Sequence, residues 1–206
     1  MAGLSKVQIC NQALSRLGSK STVESIDSPQ NKQELTFAKW WDITRRKALK
    51  ELVPSFALRR RQVAMDAEAP AFGYGARFAY PSDCVKVLGF GEIQDNKNNF
   101  SIEGGWILTD DYQDDGYLNL RFVADVTDAT TYSPEFTDVL SWYLAEATCL
   151  EITQDLEKYV AIEKVLAIKK AEAGGINSQE NRPIRINESK FKKARNYYSP
   201  TNTDKK

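Results

Sequence analysis

The feature that most constrains the fold of this chain is a change in the period of its apolar residues. Before residue 70 and after residue 130, apolar residues recur every three or four positions, as in helices that bury one face. Between these limits the period falls to two, and glycine, proline and aromatic residues become frequent. The sequence therefore predicts an α+β fold, in which a β-sheet domain is inserted between the second and third helices of a bundle of about four.

The helices and strands are predicted from these periods and from residues that begin or end an element. Ser-Pro pairs are expected to begin the second and third helices, with serine as the N-cap and proline at the first helical position. These features predict four helices: from Leu4 to Gly18, from Ser28-Pro29 to Pro54, from Ser133-Pro134 onward, and from Asp155 to Gly174-Gly175. Segment 55–65 is interpreted as a short additional helix.

Five strands are predicted, at 74–80, 85–91, 99–103, 106–109 and 117–124. Gly104-Gly105 lies between two apolar runs and predicts a two-residue hairpin. The chain is accordingly divided into a helical half at 1–69, the inserted β-domain at 70–130, a second helical half at 131–175 and an extended basic tail at 176–206.

The composition excludes several classes of active site. The chain contains no histidine, so Ser-His-Asp and Cys-His catalysis and histidine-ligated metals are excluded. The three cysteines are widely spaced and form no Cys-x-x-Cys pair, which argues against a disulfide framework and a structural zinc site. No apolar run approaches the length of a membrane span, and the first twenty residues are amphipathic, so we expect a protein made in the cytoplasm with no membrane partner.

Cys84 follows the sequence Tyr80-Pro81-Ser82-Asp83, which places a thiol beside a carboxylate. A nucleophilic cysteine needs a cation, a base or a helix N-terminus to lower its pKa, whereas the charge of Asp83 would raise it. Pro81 and Asp83 are turn formers, and an alternating apolar run follows them. We therefore interpret this segment as a turn that leads into a strand.

The net charge of zero conceals three blocks of different sign. Residues 1–90 carry 14 Lys/Arg against 8 Asp/Glu, residues 91–163 carry 3 against 16, and residues 164–206 carry 11 against 4. Such blocks indicate interaction surfaces, although three independently solvated surfaces would have the same composition. The acidic loop Asp110, Asp111, Asp114 and Asp115 lacks the glycine and terminal glutamate of an EF-hand, and a solvated loop is favoured over a calcium site.

The sequence also contains two basic clusters. The first is Arg59, Arg60 and Arg61, and the second lies in the tail, at Lys190, Phe191, Lys192, Lys193, Arg195, Tyr197 and Tyr198. Aromatic and arginine side chains dominate the energetics of protein interfaces, so Phe191, Arg195, Tyr197 and Tyr198 are the expected anchors of a docking tail.

Several segments, taken in order, resemble the tail tubular protein A family of short-tailed phages, the head-to-tail adaptor proteins. The opening helix "ICNQALSRLGS", the helix "WWDITRRKALKELVP" with its step through Phe56, Ala57 and Arg60, and the strand entry "FAYPSDCVKVLGF" are similar to motifs of that family. Further similarities are the hairpin "IEGGWILTDD", the helix "FTDVLSWYLAEATCLEIT" and the late segments "NSQE" and "SKFKKAR". Ser55 and Phe191 stand where the family usually has tryptophan, and Asn177 replaces an acidic residue.

The resemblance covers roughly residues 3–196 and implies a helical bundle with an inserted β-domain. It also implies a structural virion protein without catalysis or cofactor, whose subunits form a ring, usually twelve-fold, beneath the portal. The ring extends the DNA channel and carries the tail nozzle or tail tube, and the C-terminal segment contacts the portal. In such a ring the acidic loop either lines the channel and repels DNA phosphates, or meets the basic patch of a neighbouring subunit.

Two alternatives from other classes remain open. Paired carboxylates such as Asp110/Asp111 or Glu146/Glu151 would suit a cell-wall-degrading glycosidase. A nucleic-acid-binding protein would instead use the basic tail, and its DNA affinity would fall steeply with salt.

Overall fold

The computed structural model describes residues 3–91 and 99–180. Within them it has four α-helices and two small antiparallel sheets, so the predicted α+β class is confirmed. The helices are α1 (Lys6–Arg16), α2 (Lys32–Leu52), α3 (Pro134–Thr153) and α4 (Leu156–Glu180). The strands are β1 (Leu58–Ala64), β2 (Ala76–Ala79), β3 (Cys84–Phe90), β4 (Phe100–Glu103), β5 (Trp106–Thr109) and β6 (Tyr117–Ala124), and they all lie between α2 and α3 in the chain.

Local signals correctly predicted most helix ends. Ser133 is the N-cap of α3, with its hydroxyl accepting a hydrogen bond from the amide of Phe136 and Pro134 at the first helical position. Asp155 accepts a hydrogen bond from the amide of Lys158 at the start of α4. Gly18, at φ 70°, follows the end of α1 in the left-handed conformation that favours glycine.

Two predicted helix ends are wrong. The second helix begins after Asn31, not at Ser28-Pro29, because the buried carboxylate of Glu34 accepts hydrogen bonds from the amides of Glu24, Ser25 and Gln30 and so holds this segment as a loop. The fourth helix continues through Gly174-Gly175 to residue 180, with neither glycine at positive φ. Residues 176–180, predicted to begin an extended tail, are therefore helical.

Segment 58–64 is a strand, and the short helix predicted there is wrong. A single 3₁₀ turn at Ser55–Ala57 precedes β1, which pairs along its whole length with β6, from Leu58 opposite Val123 to Ala64 opposite Tyr117. This partner lies some sixty residues away in the chain, so the strand is specified by long-range pairing that the local sequence does not reveal.

The five predicted strands are all present, with ends within two residues of their predicted positions. One sheet has the order β1-β6-β3 and the other β2-β5-β4. Gly104 and Gly105, at φ 54° and 84°, form the two-residue turn between β4 and β5, as the two positive φ angles of a type I′ turn require. The hairpin prediction is therefore confirmed.

Strand β6 separates two apolar cores. Leu118, Leu120 and Phe122 are buried between the two sheets, as their alternation predicts. Val123 lies on the other face of β6, with Asn119 and Arg121, and it is fully buried against the helices. The outer face of β6 is therefore apolar where the helices cover it and polar beyond them.

Buried Arg45 connects the helices to the sheets. Its guanidinium forms an ion pair with Asp125 and donates to the carbonyl of Val126 at 2.8 Å, on the segment that follows β6. Arg45 is only 1% exposed, and this burial alone would lower its pKa. The hydrogen bond to Asp125 and the charge of Asp125, together with Tyr132 and Asp42, outweigh burial, so the pKa of Arg45 is raised. In the described part of the chain, no helix is long and apolar enough to span a membrane.

Candidate functional site

The predicted basic patch lies on β1, an outer strand of its sheet. Successive side chains of a strand point to opposite faces, so Arg60 lies on the face opposite to Arg59 and Arg61. Arg61 forms a forked ion pair with Asp83, with both N···O distances 2.8 Å, and Arg59 donates to the carbonyls of Phe56 and Leu58. The three arginines therefore do not form one continuous basic surface.

Arg60 instead lies beside a residue that the sequence prediction did not select. In the register of β1 and β6 it is directly opposite Arg121, and the next pair on the same face is Gln62 opposite Asn119. Gln62 Nε2 donates to Asn119 Oδ1 at 3.0 Å. These side chains border a groove of about 460 Å³, lined by Arg60, Arg61, Gln62, Gly91, Gln113, Asn119, Leu120 and Arg121.

The remaining arginines of the described chain all have acceptors. Carboxylates pair with Arg16, Arg45, Arg46, Arg61 and Arg77, and backbone carbonyls accept from Arg59. Arg60 and Arg121 have no ion pair and no side-chain hydrogen bond to any described residue. Within the described part of the chain, two adjacent cations therefore lie on one face of the sheet without an acceptor.

The predicted acidic loop connects β5 to β6, and its four aspartates are exposed. Three of them shape the loop: Asp110 accepts from the amide of Gly75 at 2.7 Å, Asp111 from Asn99 at 3.1 Å and Asp115 from Tyr117 at 3.2 Å. Within the described residues, no group of three or more acidic or cysteine side chains is arranged to hold a metal ion.

The structure brings the acidic loop close to the basic pair. Gln113, in the middle of the loop, lines the same groove as Arg60 and Arg121. Its amide donates to the carbonyl of Tyr117, so the loop folds back beside the start of β6. The loop therefore borders the groove through Gln113, while its four aspartates are not among the residues that line it.

Cys84 lies at the start of β3, after the turn that the sequence predicted. The amide of Cys84 donates to the carbonyl of Pro81 at 2.9 Å, which closes this turn. Burial and the charge of Asp83 raise the pKa of the thiol, whereas the hydrogen bond from Arg61 holds the pKa of Asp83 below its usual value. The geometry agrees with a structural cysteine and a turn fixed by the Arg61–Asp83 pair.

The carboxylates considered for a glycosidase do not converge on one cleft. Glu146 borders a cleft of about 260 Å³ between α2, α3 and α4, and its partner is Lys47 at 3.6 Å. Glu151 is not among the residues that line this cleft; it accepts hydrogen bonds from Thr36 and Trp40. Asp110 and Asp111 accept hydrogen bonds from the backbone amides of Gly75 and Asn99, which precede β2 and β4.

The tail residues predicted to dock, Lys190, Phe191, Lys192, Lys193, Arg195, Tyr197 and Tyr198, lie outside the described residues. Arg121 was missed because it is an isolated cation within an acidic part of the sequence. The alternation of β6 places Arg121 on the face opposite to Leu120 and Phe122, but only the register of β1 with β6 places it opposite Arg60.

Comparison of this chain with protein-family models and with curated proteins finds no match in either.

Proposed function

We propose that this protein is a structural adaptor of phage particles, whose subunits form a ring between the portal and the tail. The observation that carries the proposal is the ordered series of segments, from "ICNQALSRLGS" to "SKFKKAR", that resembles the tail tubular protein A family. In this proposal the ring extends the DNA channel and provides the platform for a tail nozzle or tail tube.

The positions of the motif residues support the proposal. Within "WWDITRR", Trp41 is buried in the helical core and Arg45 forms the buried ion pair with Asp125. Within "YPSDC", Asp83 fixes the turn before β3 through Arg61. The resemblance therefore falls on residues that hold this fold together, as expected if it reflects a shared architecture.

The surface charges suggest how such a ring would contact DNA. The four aspartates of the acidic loop are exposed, so their negative charge faces the surroundings of the subunit. We favour this loop as a channel lining, where aspartates repel phosphates and allow DNA to slide.

The number of copies per virus particle tests this proposal. Quantitative mass spectrometry of purified particles should give a ratio to the portal protein near one to one, with about twelve copies of each in a closed ring. Absence of the chain from particles would contradict the proposal, and a carboxylate-dependent wall-degrading activity would then be sought.

A further inference from the structure

Arg60 and Arg121 lie opposite each other on an antiparallel strand pair, and no described residue is a counter-ion of either. Like charges in directly opposite positions destabilise a sheet, so this arrangement is unfavourable for an isolated subunit. We propose that the two arginines bind carboxylates of an extended acidic segment of a partner protein, which lies along the outer edge of β1.

The surroundings of the pair suit an anion. Arginine guanidinium groups bind carboxylates through paired, charge-assisted hydrogen bonds, and two adjacent guanidiniums can share one acidic group or bind neighbouring ones. On the other side of β6, strand β3 places Gly89 opposite Arg121, and glycine has no side chain that could cover the guanidinium group. The amide groups of Gln62 and Asn119 lie next along the same face and add polar groups to the groove.

The strand arrangement favours a protein segment over nucleic acid. Strand β1 is at the end of the order β1-β6-β3, so among the described residues no strand pairs with its other edge along Leu58–Ala64. An extended peptide can add to such an edge through backbone hydrogen bonds, whereas nucleic acid cannot.

This inference goes beyond the proposed function: it rests on Arg60 and Arg121, and it concerns a contact of the single chain rather than assembly of the ring. Its tests use the purified chain, whereas the adaptor proposal is tested by copy number in virus particles. Failure of one proposal is therefore distinguishable from failure of the other.

The first test is the stability of the single variants Arg60→Gln and Arg121→Gln. Each should unfold at the same urea concentration as the original chain or at a higher one, because each removes repulsion and leaves no carboxylate unpaired. A clear fall in the unfolding midpoint would show that the arginines have internal partners, and would overturn the proposal.

The second test is binding, followed by NMR, with a short peptide of alternating glutamate and threonine as the probe. The peptide should shift the backbone amide signals of β1, and either variant should weaken its affinity about tenfold. Arg59→Gln is the matched control, since it removes the same charge from β1 on the opposite face, and it should retain most of the affinity. Absence of peptide binding, equal loss in the Arg59 control, or stronger binding of a short DNA duplex at these residues would each overturn the proposal.

Discussion

At the scale of single residues, the carboxylate of Glu34 organises the loop before α2. Glu34 is 2% exposed, and its oxygens accept hydrogen bonds from the amides of Gln30 at 2.6 Å and Glu24 at 2.9 Å. These backbone hydrogen bonds hold the pKa of Glu34 below its ordinary value of 4.5. The ionised form therefore stabilises the folded state, because it accepts more strongly than a neutral acid.

The pH dependence of stability tests this role of Glu34. Its contribution should be fully present above pH 4.5, the pKa expected in the unfolded chain, and should be lost as the pH falls through the lower pKa of the folded state. We expect Glu34→Gln to lower the urea unfolding midpoint at pH 7, and the difference from the original chain to shrink as the medium becomes acidic. Glu24→Gln, at an exposed neighbouring residue, is the control and should have little effect. A pH-independent difference would contradict this explanation.

Arg45 and Arg46 both form ion pairs with Asp125 but in different surroundings. The Arg45 side chain is 1% exposed and the Arg46 side chain is 62% exposed. Buried ion pairs are costly to break because removal of one partner leaves a buried charge, whereas exposed pairs contribute little.

This contrast predicts unequal effects of matched substitutions. Arg45→Ala should lower the free energy of unfolding by about 3–5 kcal/mol, and Arg46→Ala by less than about 1 kcal/mol. Urea denaturation at neutral pH measures both values. If Arg45→Ala does not fold, Asp125→Asn is the substitute variant, and it should again cost more than Arg46→Ala. Equal losses for the two arginines would be inconsistent with the buried connection between α2 and the end of β6.

At the scale of elements, the start of α2 depends on Asn31, whose side-chain oxygen accepts a hydrogen bond from the amide of Glu34 at 2.9 Å. Asn31→Ala should destabilise the protein by about 1 kcal/mol, the usual cost of losing an N-cap. Ser28→Ala, at the position where the sequence predicted the cap, should change stability by less than about 0.5 kcal/mol. Thermal or urea unfolding of the two variants distinguishes the two helix starts, and a larger effect at Ser28 would favour the predicted one.

Elements defined by short-range features were predictable, and those defined by distant contacts were not. The Gly104-Gly105 turn and the Ser133-Pro134 cap are contained in a few residues, and both predictions are confirmed. Strand β1 has three consecutive arginines and becomes a strand through pairing with β6. The loop before α2 likewise depends on Glu34, which lies beyond the Ser-Pro pair that predicted a helix start.

The candidate site was predictable only in part for the same reason. Arg60 was selected as a member of a basic run, but its opposite neighbour Arg121 is identified only by the register of β1 with β6. The run itself does not act as one patch, because alternation along the strand separates Arg60 from Arg59 and Arg61. The acidic loop was found from its composition, whereas its position beside the groove follows from the fold.

At the scale of the whole molecule, two apolar cores meet at β6, and the groove and the acidic loop lie on the sheets. The helical core contains residues of all four helices, and the second core lies between the two sheets. In the adaptor proposal the tail reaches the portal, while the exposed groove and acidic loop of the sheets are left for the channel and other partners. This division predicts that changes in the tail affect portal binding without affecting the stability of either core.

The tail prediction is tested by the double substitution Phe191→Ala and Arg195→Ala. Loss of an aromatic and an arginine anchor should eliminate detectable binding to purified portal rings, since such hot-spot residues each contribute about 2 kcal/mol or more to binding. Lys205→Ala with Lys206→Ala is the control, because it removes two charges from the same tail outside the family-like segment. The unfolding midpoint should be unchanged in both variants, which separates docking from folding. Binding at full strength in the Phe191/Arg195 variant would exclude the tail as the docking element, and equal loss in the control would reduce the contact to non-specific charge attraction.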